Sequence, residues 1–358
     1  MDSIEIGLIT CSPHDEVYSL YGHTAIHVSD LRRHRDLVYN YGVFDFRKPH
    51  FIWRFMMGHT DYMLECYSDL NRWLDYYAKW GSEVSEQVLN LTATEKLLLL
   101  SALDANVKDP VYRYNFFFDN CCTRARNIIE RCLTGALSYS PRPDYHPTFR
   151  QMVHQCTAGH RWAALGNDLL LGFSADREAT QREQEFLPAN LSFDFDHAVV
   201  TDSGGVRRPL VARRVVLVPM GRQPASGGFP LSPLACTLLL LLVSVLLFAY
   251  EWRRGRTLVW WDAMLMLSTG LAGCLLTVML FSEHPATGTN LQVLLLNPLS
   301  LLFLPQVVRR RRTRWFKIDL FCILAFFIGI FFQDYAEGME VVALCLLLRY
   351  CIHHRYDK

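Results

Sequence analysis

Two short motifs carry residue types that together do acyl chemistry: Gly22-His23-Thr24-Ala25 and, far downstream, Asp119-Asn120-Cys121-Cys122-Thr123-Arg124. A cysteine thiol beside a histidine base is the nucleophile pair of acyl transfer and of hydrolysis. Ala125, Ile128 and Ile129 follow Cys121 at helical spacing, which puts Cys121 at or just inside a helix N-terminus. There the helix dipole and unpaired N–H groups favour a thiolate, lowering a thiol pKa of about 8.5. The same N–H groups suit the oxyanion of a tetrahedral intermediate. Thr123 and Arg124 fall in the following turn, placed to bind a carboxylate, a phosphate or solvent. Asn120 and Asp119 are expected to orient the loop or His23, and Tyr21 and Tyr41 to assist by hydroxyl contact.

The neighbouring candidates read differently. Cys122 points about 100° away from Cys121 on a helix, so only one of the two can face His23. His27 would share a strand face with His23, and HxxxH is a metal-binding spacing. No third ligand is evident, so no metal is expected, and nothing calls for a cofactor. His14, His59, His146, His154 and His160 read as surface or packing residues.

The elements that must position this pair read as a small α+β domain. Ile4 to Thr10, Ala25 to Val28, Leu37 to Tyr41 and Tyr62 to Tyr67 have strand composition. Asp69 to Trp80 has the acidic start and mixed pattern of a helix. Thr92 with Glu95 three residues on is a capping box opening another.

The rest of the chain is apolar. Runs at about 234–250, 258–281, 291–308, 318–332 and 341–351 read as spans, the last two short against the ~20 residues that cross a bilayer. The loops EWRRGR, RRRRTRWFK and HHRYDK alternate with 282–290 and 333–340, which contain no Lys or Arg. Five spans with basic loops inside place residues 1–225 outside the cytoplasm and make 226–358 the transmembrane domain. The Arg clusters at Arg207-Arg208, Arg213-Arg214, Arg253-Arg254 and Arg309 to Arg312 read as membrane-edge charge, not as a nucleic-acid surface. A translocated domain needs a signal, and Met1 to Thr10 has neither basic n-region nor h-region. The expectation is a true start upstream, with the signal peptide missing from this chain. Eleven cysteines occur, and an extracytoplasmic compartment permits disulfides, Cys132 with Cys156 being the leading pair. Asp262, near the start of the second span, and His284, Asn290 and Asn297 around the next outer loop are expected to line a lipid or lipoprotein entrance.

The blocks ITCSPHDEVYSLYGHTAIHVSD, VYNYGVFDF, YNFFFDNCCTRARNIIE and DLLLGFSADREATQREQEFLPANL resemble, in order, the Lnb family. These are Bacteroidota inner-membrane proteins with an N-terminal periplasmic domain, implicated in bacterial lipoprotein N-acylation. The resemblance extends loosely through the spans, where Asp262, His284, Asn290 and Asn297-Pro298 match polar positions. It makes His23, in the GHTA-like motif, and Cys121, in DNCxTR, the family's catalytic pair. Where many members carry Arg after the first motif, this chain has His27. Histidine first and Asn-Cys later also resembles permuted papain-like domains of the NlpC/P60 and lecithin–retinol acyltransferase type. The implied fold is therefore an α+β papain-like extracytoplasmic domain followed by five transmembrane helices, in a multi-pass protein of the bacterial inner membrane. The implied activity is transfer of a fatty acyl chain from a membrane phospholipid or diacylglyceryl ester to the N-terminal amine of a lipoprotein's lipidated cysteine. The competing expectations are a membrane-bound cysteine peptidase or amidase of cell-wall peptides, and a non-enzymatic receptor. Hydrolysis of a soluble peptide needs only one anchor, and a receptor would tolerate loss of the thiol.

Overall fold

The strand expected at the start of the chain is β1 (Ile4–Cys11), and β2 (His23–Asp30), β3 (Arg35–Val43) and β4 (Asp61–Tyr67) follow where their alternating patterns place them. Two further long strands, β5 (Val84–Leu89) and β10 (Val211–Val218), and the short β6 (Val111–Arg113) complete an antiparallel sheet. Its order is β10-β5-β1-β2-β3-β4-β6. A second sheet of three short strands, β7 (Ala136–Ser138), β8 (Val199–Thr201) and β9 (Arg207–Pro209), lies apart from it in the pairing. The helices of this part are α1 (Phe51–Met56), α2 (Leu70–Lys79), α3 (Ala93–Lys108), α4 (Cys121–Cys132), α7 (Gln181–Gln184) and α8 (Pro188–Asp196). A computed structural model describes residues 1, 3–223 and 228–356.

Strand alternation gives the large sheet two apolar faces. Ile6, Leu8, Ile26, Val28, Tyr39 and Leu64 pack with Leu99 and Leu103 of α3, Ala125 and Ile129 of α4, and Leu191 and Phe195 of α8. Ile9, Ala25, Val38 and Val84 pack on the other side with Trp73 and Tyr77 of α2. The Thr92–Glu95 capping box opens α3 as expected, and Asp69 caps α2.

Polar residues hid two strands. β5 is buried along its whole length, yet Ser85, Glu86 and Gln87 break the apolar pattern because their side chains are spent internally. Glu86 bonds His27, and Gln87 donates to Ser192 O at 2.8 Å. The Arg207–Arg214 region is likewise not membrane-edge charge. Arg208 pairs with Glu95 at 2.6 Å, Arg213 with Glu5 at 2.6 Å and Arg214 with Asp196 at 2.8 Å, so these arginines close the edge of the domain.

The chain divides into two compact units, Met1–Pro147 with Glu178–Gly227, and Thr148–Arg177 with Gly228–Lys358. The expected boundary at 225/226 lies outside the described residues, as do the last two residues of the HHRYDK run. Residues 148–177, expected with the first domain, belong to the second unit. There α5 (Phe149–Thr157) and α6 (Arg161–Leu170) join α9 (Pro233–Arg254), α10 (Val259–Leu280), α11 (Leu299–Val308), α12 (Trp315–Gly329) and α13 (Met339–Tyr356). Buried Arg150 of α5 bonds Asp168 at 2.9 Å and Asp176 at 2.6 Å, and also the Leu171 and Gly172 carbonyls.

Among the described residues three segments are long and apolar enough to cross a membrane: Pro233–Arg254, Val259–Leu280 and Leu291–Val308. The regular helix of the third begins only at Leu299. At 15 residues α12 is short for a crossing, and α13 ends in charged and imidazole side chains. All eleven cysteines are free. Cys132, the leading candidate for a pairing with Cys156, packs in the core of the first unit.

Candidate active site

Cys121 is the first residue of α4, and Asn120 is its cap. The Asn120 carboxamide oxygen accepts from the Cys122 and Thr123 N–H groups at 2.9 and 3.0 Å, and Thr123 Oγ1 accepts from the Asn120 N–H at 2.8 Å. The Asn120 side chain donates to the carbonyls of Phe116 and Phe186, both at 2.9 Å, which fixes the turn against neighbouring chain. Of the first-turn N–H groups, the capping box engages those of Asn120, Cys122 and Thr123, and leaves that of Cys121 itself.

His23 opens β2 opposite Cys11. Its Nε2 bonds Asn40 Oδ1 of β3 at 2.5 Å. An amide oxygen only accepts, so Nε2 carries the proton and Nδ1 is the basic nitrogen of the neutral ring. The imidazole also bonds the Cys121 thiol. His23, Asn40 and Cys121 thus form one hydrogen-bonded chain.

The electrostatics match that connectivity. For Cys121 the bond from the Cys122 thiol favours the thiolate and burial opposes it. His23 and the Thr24 backbone add to the first, and the thiol is held well below its ordinary value. For His23 burial works against the imidazolium, but the Cys121 charge and the bonds to Cys121 and Asn40 outweigh it, so its pKa is raised. Both directions favour a thiolate–imidazolium pair. Cys122 is the reverse case. Burial, then the neighbouring Cys121, push its thiol well up, and its Sγ sits 3.3 Å from Thr24 Oγ1 and 3.9 Å from Cys121 Sγ.

Gly42 keeps the pair accessible. A Cβ there would stand 3.7 Å from Cys121 Cβ, 4.0 Å from His23 Cε1 and 4.0 Å from the Tyr112 hydroxyl. Its φ of +93° suits glycine in any case. The Tyr112 hydroxyl is buried with no hydrogen-bond partner among the described residues. Burial first, and then the Cys121 charge, push its pKa well up, so it stays a protonated donor.

The other sequence candidates divide. Asp119 is held by Arg124 through two 2.7 Å bonds, and the Arg124 guanidinium lies 3.7 Å over the Tyr112 ring. Neither Asp119 nor Asn120 orients His23; Asn40 does. Tyr41 turns into the core, where its hydroxyl accepts from Asn106 at 2.7 Å, and Tyr21 packs edge-on against Phe116. His27 bridges Glu86 at 2.7 Å and Asp36 at 3.1 Å. Among the described residues no group of three or more His, Cys, Asp or Glu is arranged to hold a metal. Asn40, Gly42 and Tyr112 were not singled out in the sequence. The period-two alternation of VYNYGV places Asn40 on the strand beside the one carrying His23, and that is the signal by which it could have been found.

In the second unit each of the expected entrance residues has partners of its own. Asn290 donates to Leu169 O at 2.7 Å and accepts from Gln333 at 3.1 Å. Asn297 contacts Cys322 Sγ at 3.4 Å, and the His284 N–H donates to Ser282 at 3.3 Å. Asp262 is instead part of a buried ion cluster. It bonds Arg349 at 2.7 Å and His353 at 3.0 Å, and Arg349 also bonds Glu251.

A family model described as the Lnb N-terminal periplasmic domain matches residues 1–155, and one described as the Lnb transmembrane domain matches residues 224–358. Comparison with curated proteins and with solved structures finds no match. The two models together cover most of the chain and agree with a sheet-rich N-terminal part followed by apolar helices: the protein belongs to the Lnb family, membrane proteins with a periplasmic N-terminal domain.

Proposed function

We propose that the protein is a cysteine-dependent lipoprotein N-acyltransferase. The observation that carries this reading is the His23–Asn40–Cys121 chain at the start of α4 in a membrane-anchored domain. An antiparallel sheet with a nucleophile helix against it, and the order His, Asn, Cys, support a permuted papain-like fold for the first unit. The alternation of basic loops with loops that contain no Lys or Arg supports five spans, α9 to α13 with the segment leading into α11, in the inner membrane with the basic loops cytoplasmic. His284, Asn290 and Asn297, at the outer ends of these spans, then border the route by which lipid or lipoprotein approaches, and Asp262 holds the bundle together.

In the first half-reaction the Cys121 thiolate attacks the carbonyl carbon of a phospholipid or diacylglyceryl ester. A C–S bond forms, the C–O bond breaks, and the departing alkoxide takes the proton held on His23 Nδ1. The Cys121 N–H, which the capping box leaves, and the Tyr112 O–H, which has no partner among the described residues, support the assignment of these two donors to the oxyanion. In the second half-reaction the N-terminal amine of a lipoprotein's lipidated cysteine attacks the thioester. A C–N bond forms, the C–S bond breaks, and neutral His23 takes the amine proton, which restores the ion pair.

The test is mass spectrometry of lipoprotein N-termini from cells carrying wild type or Cys121→Ala. The expected result is loss of the N-acyl mass in the variant. Unchanged N-termini, together with release of soluble cell-wall peptide fragments by wild type alone, would assign the dyad to a hydrolase instead.

A further inference from the structure

Directly after Gly42 the chain leaves the sheet at its His23 end and, before returning as β4, exposes large apolar side chains. Phe46 is 65% exposed, Ile52 75% and Trp53 56%. The short helix α1, which carries the last two, buries none of its residues. Phe51, Arg54 and Met56 are half-buried, while Ile52, Trp53 and Phe55 form an exposed apolar side that folding does not require. Basic side chains are interleaved with it. Residues 44–59 contain Arg47, Lys48 and Arg54; Arg47 pairs with Asp45 at 3.0 Å and Arg54 with Asp61 at 2.5 Å, both at the surface, and Lys48 is half-buried. Exposed aromatics mixed with Lys and Arg are the composition of segments that lie in the headgroup region of a bilayer, whose anionic lipids attract the cations. The same chain carries its own apolar helix, which begins at Pro233 after β10 ends at Val218.

The same connection leads inward. Phe46 packs on Phe51 at 5.0 Å and on Phe44 at 4.7 Å, Phe44 on Tyr62 at 4.9 Å, and Tyr62 stacks on Tyr114 at 4.0 Å. Tyr114 packs against the core cluster that holds both Tyr62 and Cys121. A file of aromatic rings thus runs from the exposed connection to the cluster that holds the nucleophile.

We propose that the segment 44–57 inserts into the bilayer that anchors this chain, and that its ring file conducts a lipid acyl chain to Cys121. The insertion stands by itself; the conduction rests on the acyltransferase reading. The occupant is the acyl region of a membrane lipid, which alone matches an apolar entry flanked by cations and anchored beside a bilayer.

Two arms on the full-length protein in phospholipid vesicles test this. In the first, p-benzoylphenylalanine replaces Ile52, or Arg33 in the β2–β3 turn at the opposite end of the sheet, and adducts are weighed after irradiation. Phospholipid adducts at 52 and not at 33 are expected; none at 52, or equal yields at both, overturns insertion whatever the activity. In the second, Phe46→Ser, Ile52→Ser and Trp53→Ser are combined. Alkylation of Cys121 by iodoacetamide should match wild type, which shows the site intact, while turnover of vesicle lipid should fall roughly tenfold. Wild-type turnover in the triple variant overturns conduction. Absence of lipid turnover in wild type, with the adduct at 52 still formed, sinks the acyltransferase reading and leaves insertion standing.

Discussion

Asn40 Oδ1 accepts a hydrogen bond from His23 Nε2–H at 2.5 Å, and this bond decides which nitrogen is the base. Both residues lie on neighbouring antiparallel strands, so the sheet itself fixes the tautomer. Removing the amide frees the ring to rotate or to protonate the wrong nitrogen. Asn40→Ala is expected to lower kcat about 10²-fold with KM changed less than about threefold. Asn40→Asp keeps the acceptor and should restore most of the rate. Equal loss in both variants, or a loss confined to KM, would remove Asn40 from the orienting role.

The pH dependence of alkylation separates the two adjacent thiols. The Cys121 thiol is held well down and His23 held up, and both directions favour the ion pair. Iodoacetamide labelling of Cys121 should therefore slow less from pH 8 to pH 6 than labelling of a free thiol titrating at about 8.5. His23→Ala should move the profile up toward that ordinary value and lower transfer by ~10²–10⁴. Cys121→Ala should abolish transfer, while Cys122→Ala should keep most of it and shift the labelling profile upward, since the Cys122 thiol contributes to lowering its neighbour. Labelling traced by mass spectrometry to Cys122 would reverse the assignment.

Much of the site was legible because its signals are local. The approach of Cys121 to a helix start follows from Asp119-Asn120 and the spacing of Ala125 to Ile129, and the strand after His23 from β-branched alternation. What stayed hidden depends on which side chains meet once elements pair. Asn40 becomes the partner of His23 only when β2 and β3 pair in register, and Asn120 spends its carboxamide capping its own helix. The β5 strand was masked by Glu86 and Gln87, whose polarity is satisfied by His27 and by α8. The Arg213-Arg214 pair looked like membrane-edge charge because its partners, Glu5 and Asp196, lie far away in the sequence.

Gly42→Ala tests the space between the catalytic groups. The added methyl would touch Cys121, His23 and Tyr112 at van der Waals distance, where an acyl carbonyl has to enter. It would also occupy a left-handed backbone conformation, at a cost of about 1 kcal/mol in stability. Transfer should fall by more than about tenfold while iodoacetamide, a small reagent, still labels Cys121. Full transfer in Gly42→Ala would mean that substrate approaches from another side.

The last prediction concerns His27, whose position in HxxxH invites a metal but whose surroundings are two carboxylates. Gly7, opposite His27 on β1, lacks the Cβ that would lie 2.1 Å from the Glu86 carboxylate, and so lets that side chain cross to Nδ1. Burial disfavours the imidazolium, yet the bonds and charges of Glu86 and Asp36 outweigh it and raise the His27 pKa. A raised folded-state value means that the protonated ring stabilises the fold. That contribution is fully present below the unfolded value of about 6.5 and is lost as pH rises through the folded value. Amide exchange of β1, β2 and β5 in the full-length protein should therefore quicken as pH rises through that value, beyond the intrinsic rise with hydroxide. In His27→Gln that extra change should vanish, and exchange at pH 6 should already be fast. Leaving Glu86 buried without its cation should cost about 3 kcal/mol, while Cys121 alkylation stays near wild type once folded. Exchange in His27→Gln that still quickened in excess over the same pH range would place the titrating group elsewhere.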